Sequence, residues 1–280
     1  MPGLHVIEHN SQSGTRVPPL LFVHGACFGA WCWEDYFLDY FAQLGYHAVA
    51  FDLRGHGASA GRDRLQDATI DDFTDDVSEV SSRFGLPPVV VGHSMGGLIT
   101  QRFAMRNPAS GVVLLASSPI GGMKRNGWPL VRAHPLPFLK AMITRDMLKI
   151  YPDNRRVRHI MFSPGTPENT VTSCRERLQS ESWRACMEMN EPISPPLTIP
   201  CPLLVLGGER DHTVPAELVI ETGEAYRAPV HIFPGVGHNL MLEPSWQEVA
   251  CYIDQWVQAS VQLNGVSTGD KRSTVRAKGE

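Results

Sequence analysis

Val89-Val90-Val91-Gly92-His93-Ser94-Met95-Gly96-Gly97 decides how the rest of the chain is read. Three β-branched residues run into glycine, histidine and serine. A methionine and two glycines follow, and Leu98 to Arg106 continues with helical spacing. A continuous apolar run suits a buried strand, and the pattern after it suits a helix. Between them, G-x-S-x-G predicts a very tight strand–turn–helix with Ser94 at its apex. The glycines have a steric reason. A serine on a strained turn needs neighbours without Cβ atoms, so that strand and helix can approach each other. The helix start also directs partial positive charge to the place where an oxyanion would form. The bland alternative is a glycine-rich turn with an incidental serine. The Val run before it and the helix after it weigh against that.

Moving outward, strands and helices alternate. Leu4 to Ile7 and Leu20 to Val23 read as strands, with the polar stretch 10–14 between them as hairpin or loop. A helix is expected from Trp31 to Leu44, a strand from His47 to Phe51, and a helix from Thr69 to Phe84 with its acids early. Val112 to Leu115 is another buried strand. From Pro119 to about Pro200 the pattern changes to short helical pieces broken by prolines, with Met and Trp among them, which reads as an inserted helical cap. Alternation resumes with strand 202–206, a helix over 216–226, strand 230–233 and a final helix over 244–259. That last helix carries Val249, Ile253, Trp256 and Val257 on one stripe. The prediction is an α/β fold: a mostly parallel sheet with helices on both faces, built from 1–118 and 200–261, with the cap over 119–199 and a flexible tail over 262–280.

Composition bounds the function. At 280 residues and 42% hydrophobic, the chain can bury a large core. A net charge of −4 points away from nucleic-acid binding, and no apolar run is long enough to span a membrane. The start of the chain has no basic-then-apolar segment, so no secretory signal is expected. Six cysteines are scattered without a C-x-x-C pair, as expected of reduced, mostly buried thiols in a cytoplasmic protein. His5-Val-Ile-Glu-His9 formally fits the zinc pattern H-x-x-E-H. That pattern requires a helix, whereas these residues alternate like an edge strand and have no third ligand, so no metal is expected.

A serine hydroxyl is a poor nucleophile until a base takes its proton, and the base needs an acid to fix its tautomer. The order nucleophile, acid, histidine is expected for this architecture. Asp211 lies in Gly207-Gly208-Glu209-Arg210-Asp211-His212, just past a strand end, where catalytic groups of parallel sheets gather. Glu209 is the alternative acid, and a simple turn or N-cap aspartate is the bland reading of Asp211. His238, in Pro234-Gly235-Val236-Gly237-His238, follows the last strand, with His212 as the alternative base. His24, His56 and His93 sit beside glycines in turns and suit structural work. The oxyanion hole needs backbone N–H groups: one from Met95, one from the loop after Leu20 to Val23, with Ala26 preferred over Cys27.

His24-Gly25-Ala26, the loop Asp52 to Ser59, Gly92 to Gly96, Gly208 to Asp211 and Gly237-His238 together resemble the α/β-hydrolase superfamily over roughly 15–260. The resemblance is nearest to capped serine esterases, including bacterial esterases and plant methylesterase-like proteins with a similar HGA-x-x-GAW start. It implies a sheet of about eight strands, a helical cap above the site, and a structural role for Asp52 to Ser59. Epoxide hydrolases and haloalkane dehalogenases of this fold carry Asp at the elbow. Ser94 instead implies acyl transfer to water without metal or organic cofactor.

The expected activity is hydrolysis of a small-molecule carboxylic ester with a hydrophobic acyl or alcohol group. The alternatives are a thioesterase or lactonase and, outside enzymes, a ligand receptor that has lost turnover. Phe28, Trp31, Met95, Trp128, Met142 and Leu240 are the expected pocket walls, though any of them can simply be core. From Lys124 to Arg184 there are twelve Lys and Arg against five Asp and Glu, a net +7 that leaves the remainder at −11. Such asymmetry can steer an anionic substrate or an acidic carrier partner, or it can be an ordinary solvated face.

Overall fold

A computed structural model describes residues 3–10, 18–124, 131–132, 135–193 and 198–261. Trp128 and the expected tail over 262–280 lie outside the described residues.

The Val run forms β4 (Val89–His93), every residue of it buried, at the centre of a seven-stranded sheet. The sheet also contains β1 (Val6–His9), β2 (Leu20–Val23), β3 (Ala48–Phe51), β5 (Gly111–Leu115), β6 (Leu203–Gly208) and β7 (Val230–Phe233). The order is β1-β3-β2-β4-β5-β6-β7. All neighbours are parallel except β1 on β3, where Val6 faces Phe51 and His9 faces Ala48. About eight strands were expected, and seven occur among the described residues. The His5–His9 segment runs along the antiparallel edge, where His5 and His9 stand about 13 Å apart along an extended strand instead of one helical turn apart, and each meets a different carboxylate, Asp52 and Asp39.

Helices cover both faces. On one lie α1 (Trp31–Glu34), α2 (Phe37–Gln43) and α10 (Trp246–Ser260); on the other lie α3 (Ile70–Ser81), α4 (Met95–Arg106) and α9 (Ala216–Tyr226). The single helix expected over 31–44 breaks, because Tyr36 has φ −144°, outside the helical region. Helix α3 starts as its sequence dictates. Thr69 accepts from the Asp72 N–H, and the Asp72 carboxylate accepts from the Thr69 N–H, a reciprocal capping box. In α10, Val249, Ile253 and Val257 are fully buried and Trp256 packs half-buried beside them, as the stripe predicted.

Between β5 and β6 the chain leaves the sheet and returns with α5 (Pro135–Thr144), α6 (Asn154–Met161), α7 (Glu168–Arg177) and α8 (Trp183–Glu188). This insertion lies over the carboxyl ends of the strands. Its Arg177 forks onto Asp35 (2.5 and 2.9 Å) and stacks over the Trp31 ring at 4.0 Å. Among the described residues no helix is long and apolar enough to cross a membrane. All six cysteines are unpaired.

Candidate active site

Ser94 stands between β4 and α4 with φ 53° and ψ −116°, a strained conformation for a residue with a side chain. The surroundings enforce it. The Ser94 N–H donates to the Leu115 carbonyl (3.1 Å), and its own carbonyl accepts from Gly97 (2.9 Å) and Ser118 (3.0 Å). A Cβ on Gly96 would run into the carbonyl oxygens of Val23 and His24, and one on Gly92 into Thr100 and Gly96. The close approach of turn, strand and helix therefore depends on both glycines.

Asp211 lies beyond β6 and is almost fully buried. Its Oδ1 accepts from the N–H groups of Thr213 (2.7 Å) and Val214 (2.8 Å), which fixes the carboxylate. Its Oδ2 lies 2.7 Å from His238 Nδ1. A carboxylate only accepts, so Nδ1 carries the proton and the contact selects the tautomer whose lone pair is on Nε2. His238, also buried, lies beyond β7 and lines the same cavity as Ser94. Among the described residues Ser94 Oγ and His238 share no hydrogen bond, a contact that commonly tightens only when substrate arrives. Neither alternative is joined to this cluster. Glu209 turns outward to the Gly235 N–H (2.9 Å), and His212 stacks on His159 of α6 at 4.7 Å.

The three turn histidines have structural partners. His24 donates through Nδ1 to the Gly25 carbonyl (2.9 Å) and accepts from the Leu53 N–H at Nε2 (3.1 Å). Burial, aided by the neighbouring His56, lowers its pKa to about 4. His93 donates through Nε2 to the His238 carbonyl (3.1 Å), so the elbow holds the loop that carries His238. Burial and the adjacent His238 ring keep it well below the ordinary histidine range. In the Asp52–Ser59 loop, Asp52 accepts from Ala30 (2.7 Å), Ala58 (3.0 Å) and His5 (2.9 Å), a knot that fixes loops without facing the cavity.

The Met95 N–H opens α4, and neither it nor the Ala26 N–H donates to another group among the described residues. The Cys27 N–H is already committed to Glu181 Oε2 at 2.9 Å. Of the two candidates in that loop, Ala26 is the one left available.

The cavity holds about 360 Å³ and is mostly apolar. Its floor is Ala26, Phe28, His93, Ser94, Thr213 and His238; the insertion supplies the roof. Phe28 and Met142 line it as expected. Trp31 does not: it is layered between Phe28, stacked at 5.1 Å, and Arg177. Leu240 does not either. After His238 the chain turns inward, with Asn239 N–H bonded to the Met161 carbonyl (2.9 Å), and Leu240 is fully buried in the core. The Met95 side chain is likewise core. The expected walls included Met142 but missed Met123, Met147, Met161, Met187 and Met189, which also line the cavity; together these are six of the ten methionines in the chain. Their concentration between 119 and 199 was the available signal. A wider hollow, about 420 Å³, opens near Cys201, Tyr226 and Trp256 at the amino ends of β6 and β7. It has no nucleophile–base pair. Among the described residues no group of three or more acidic, histidine or cysteine side chains is placed to hold a metal.

Of the insertion's cations, Lys124, Lys149, Arg158, Arg175, Arg177 and Arg184 each form an ion pair, so much of the local positive charge is matched by acids.

Comparisons with known proteins bear on the family and the fold. A profile of the alpha/beta hydrolase family matches residues 20–250. Epoxide hydrolase 3 of Xenopus tropicalis is 27% identical over 259 residues, 83% of this chain and 70% of that protein. A monoacylglycerol lipase of Mycolicibacterium smegmatis is 25% identical over 239 residues, 78% and 80% of the two chains. Methylesterase 9 of Arabidopsis thaliana is 37% identical over 81 residues, which is 28% of this chain and 30% of that protein. Among solved structures, a thermophilic esterase from Thermogutta terrifontis superposes with a TM-score of 0.72 at 21% identity, over 92% of this chain and 94% of that one. At that identity the superposition speaks for the fold alone.

Proposed function

The chain belongs to the alpha/beta hydrolase family, and we propose that within it the protein is a cofactor-independent serine hydrolase of carboxylic esters. One observation carries the proposal: Asp211 holds His238 by a 2.7 Å hydrogen bond at the wall of a cavity that Ser94 also lines. In this scheme Ser94 Oγ attacks the ester carbonyl carbon and its proton passes to His238 Nε2. The Ala26 and Met95 N–H groups hold the tetrahedral oxyanion. His238 then returns the proton to the leaving alcohol, and water cleaves the acyl-enzyme to release the acid and free Ser94. Asp211 keeps the ring in the tautomer that can accept at Nε2 and stabilises the imidazolium.

The epoxide hydrolase among the relatives does not transfer its named activity. Opening an epoxide through a covalent ester needs a carboxylate nucleophile; a serine would leave an ether that water cannot cleave. The apolar cavity favours a hydrophobic acyl or alcohol group. Residues 119–199 are the unit we take to choose it, and their methionines suit a pocket that adapts to varied chains. The unpaired cysteines support a reducing, cytoplasmic setting.

The test is Ser94→Ala, assayed on a panel of aryl esters, acyl-CoA thioesters and lactones. Ester hydrolysis should fall at least about a thousandfold while circular dichroism and the melting temperature stay unchanged. Most of the activity surviving would remove Ser94 from the mechanism. A preference for thioesters, weakened by salt, would move the substrate to an anionic carrier.

A further inference from the structure

The insertion roofs the cavity, and it also reaches down to the loop that carries Ala26. Glu181 is fully buried. Its Oε2 accepts from the Cys27 N–H (2.9 Å) and lies 3.0 Å from His56 Nε2; its Oε1 accepts from the Ser182 N–H (2.7 Å). Two residues earlier, the Gln179 N–H donates to the Cys27 carbonyl (3.0 Å) and its side-chain amide donates to the Phe28 carbonyl (2.6 Å). Both backbone polar groups of Cys27 therefore end on a segment about 150 positions away in sequence. Cys27 has φ 67°, the left-handed region that a residue with a side chain enters at a cost. Something must hold it there, and Glu181 with Gln179 supplies the bonds that do.

A buried carboxylate is costly unless paired, and His56 is its partner. His56 Nδ1 faces the Arg54 carbonyl at 3.1 Å and must donate to it, so Nε2 meets the carboxylate as a second donor of an imidazolium. Burial works against charge on His56, but the Glu181 carboxylate outweighs it and holds the ring above its ordinary value. Burial would raise Glu181, yet His56 and the N–H groups of Cys27 and Ser182 hold it below the usual carboxylate range.

Resting on the serine-hydrolase reading above, we infer that Glu181 is a positioning residue for the oxyanion hole: by fixing the Cys27 N–H it sets the backbone turn that presents the Ala26 N–H to the substrate. The cap would then act on the rate of the chemical step as well as on substrate choice. Two substitutions separate this from a merely structural ion pair. Glu181→Asp keeps the charge for His56 but draws the carboxylate back by about 1.5 Å, one bond length, from the Cys27 N–H. Glu181→Gln removes the charge but keeps an acceptor oxygen at the original reach.

The readouts are kcat, KM and the inhibition constant of a trifluoromethyl ketone, which adds to the nucleophile and places an oxyanion in the hole. In Glu181→Asp, kcat/KM should fall roughly tenfold to a hundredfold through kcat, somewhat less than outright loss of a donor, with the ketone weakened by the same factor. Glu181→Gln should stay within about threefold of the parent. Wild-type kinetics in Glu181→Asp would overturn the inference, as would a loss that ketone binding does not follow, or Gln losing as much as Asp. If Asp fails to fold, Glu181→Ala takes its place against Gln with the same criteria. A Ser94→Ala protein that still hydrolyses esters would defeat the triad reading itself; normal Glu181 variants on a Ser94-dependent reaction would defeat only this inference.

Discussion

Ser94 holds a backbone conformation that costs on the order of 1–3 kcal/mol, and the residues around it are chosen to tolerate it. Gly96 is the sharpest case, because a methyl group there would meet two backbone carbonyls that cannot rotate away. Gly96→Ala should destabilise the protein by about 2–4 kcal/mol, read as a lower urea midpoint at unchanged slope. An unshifted midpoint would show that the elbow yields. The positions of Ser94, Asp211 and His238 past strand ends were legible in the sequence because each rides on a local pattern, a strand run followed by glycine; the roles proposed for them rest on the 2.7 Å Asp211–His238 contact and the shared cavity. The choice between Ala26 and Cys27 was not legible, since both fit the loop. A glutamate from the far end of the insertion takes the Cys27 N–H, which is why Ala26 is the donor we propose. Glu181 itself left no local signal: a buried charge is recognised by its partners, and these are distant in sequence. Trp31 and Leu240 were misplaced for a related reason. Apolar residues next to motif loops can face the cavity or the core with the same spacing.

At the scale of elements, a second buried carboxylate joins insertion to core. Glu243 accepts from the N–H (2.5 Å) and hydroxyl (2.7 Å) of Ser163, the hydroxyl of Thr166 (2.6 Å) and the N–H of Gly237 (2.9 Å). It thus ties the end of α6 to the loop carrying His238. Glu243→Ala would strand those donors in a buried site, and a loss of about 2–4 kcal/mol is expected. Hydrogen exchange should show the Ser163 and Gly237 amides opening first; protection equal to the parent at both would remove Glu243 from this role. Helix periodicity placed most elements within a few residues. It failed at 31–44, where the break at Tyr36 adjoins Asp35, the residue Arg177 holds from the insertion. A tertiary ion pair of that kind has no trace in local periodicity.

For the whole molecule, alternating strands and helices predicted the parallel sheet; the edge strand β1 pairs antiparallel with β3, whose other neighbour, β2, is parallel to it. The balance of buried histidines makes stability depend on pH in both directions. His24 and His93 are held neutral, their folded values below the unfolded 6.5; their contribution is present above pH 6.5 and lost as pH falls toward about 4. His56 has the opposite sign. Its raised value contributes below pH 6.5 and fades as pH rises through it, while the lowered Glu181 contributes above 4.5 and fades below it. Thermal melts from pH 4 to 9 should show His56→Gln losing most relative to the parent between about pH 4.5 and 6.5, with the difference shrinking as pH rises above that window. A pH-independent difference would contradict the buried ion pair. The methionine-lined cavity gives a second expectation. For saturated acyl esters, kcat/KM should rise about fourfold per methylene, the equivalent of ~0.8 kcal/mol each, until about 360 Å³ is filled. A flat series would mean that the acyl chain lies outside the cavity.

The most direct measurement is the site at which a fluorophosphonate probe reacts, located by peptide mass spectrometry. The expected result is one adduct, on Ser94, absent from Ser94→Ala and formed at least about a hundredfold more slowly in His238→Ala. No adduct, or an adduct on another residue that His238→Ala leaves unaffected, would contradict the assignment of Ser94 as an activated nucleophile.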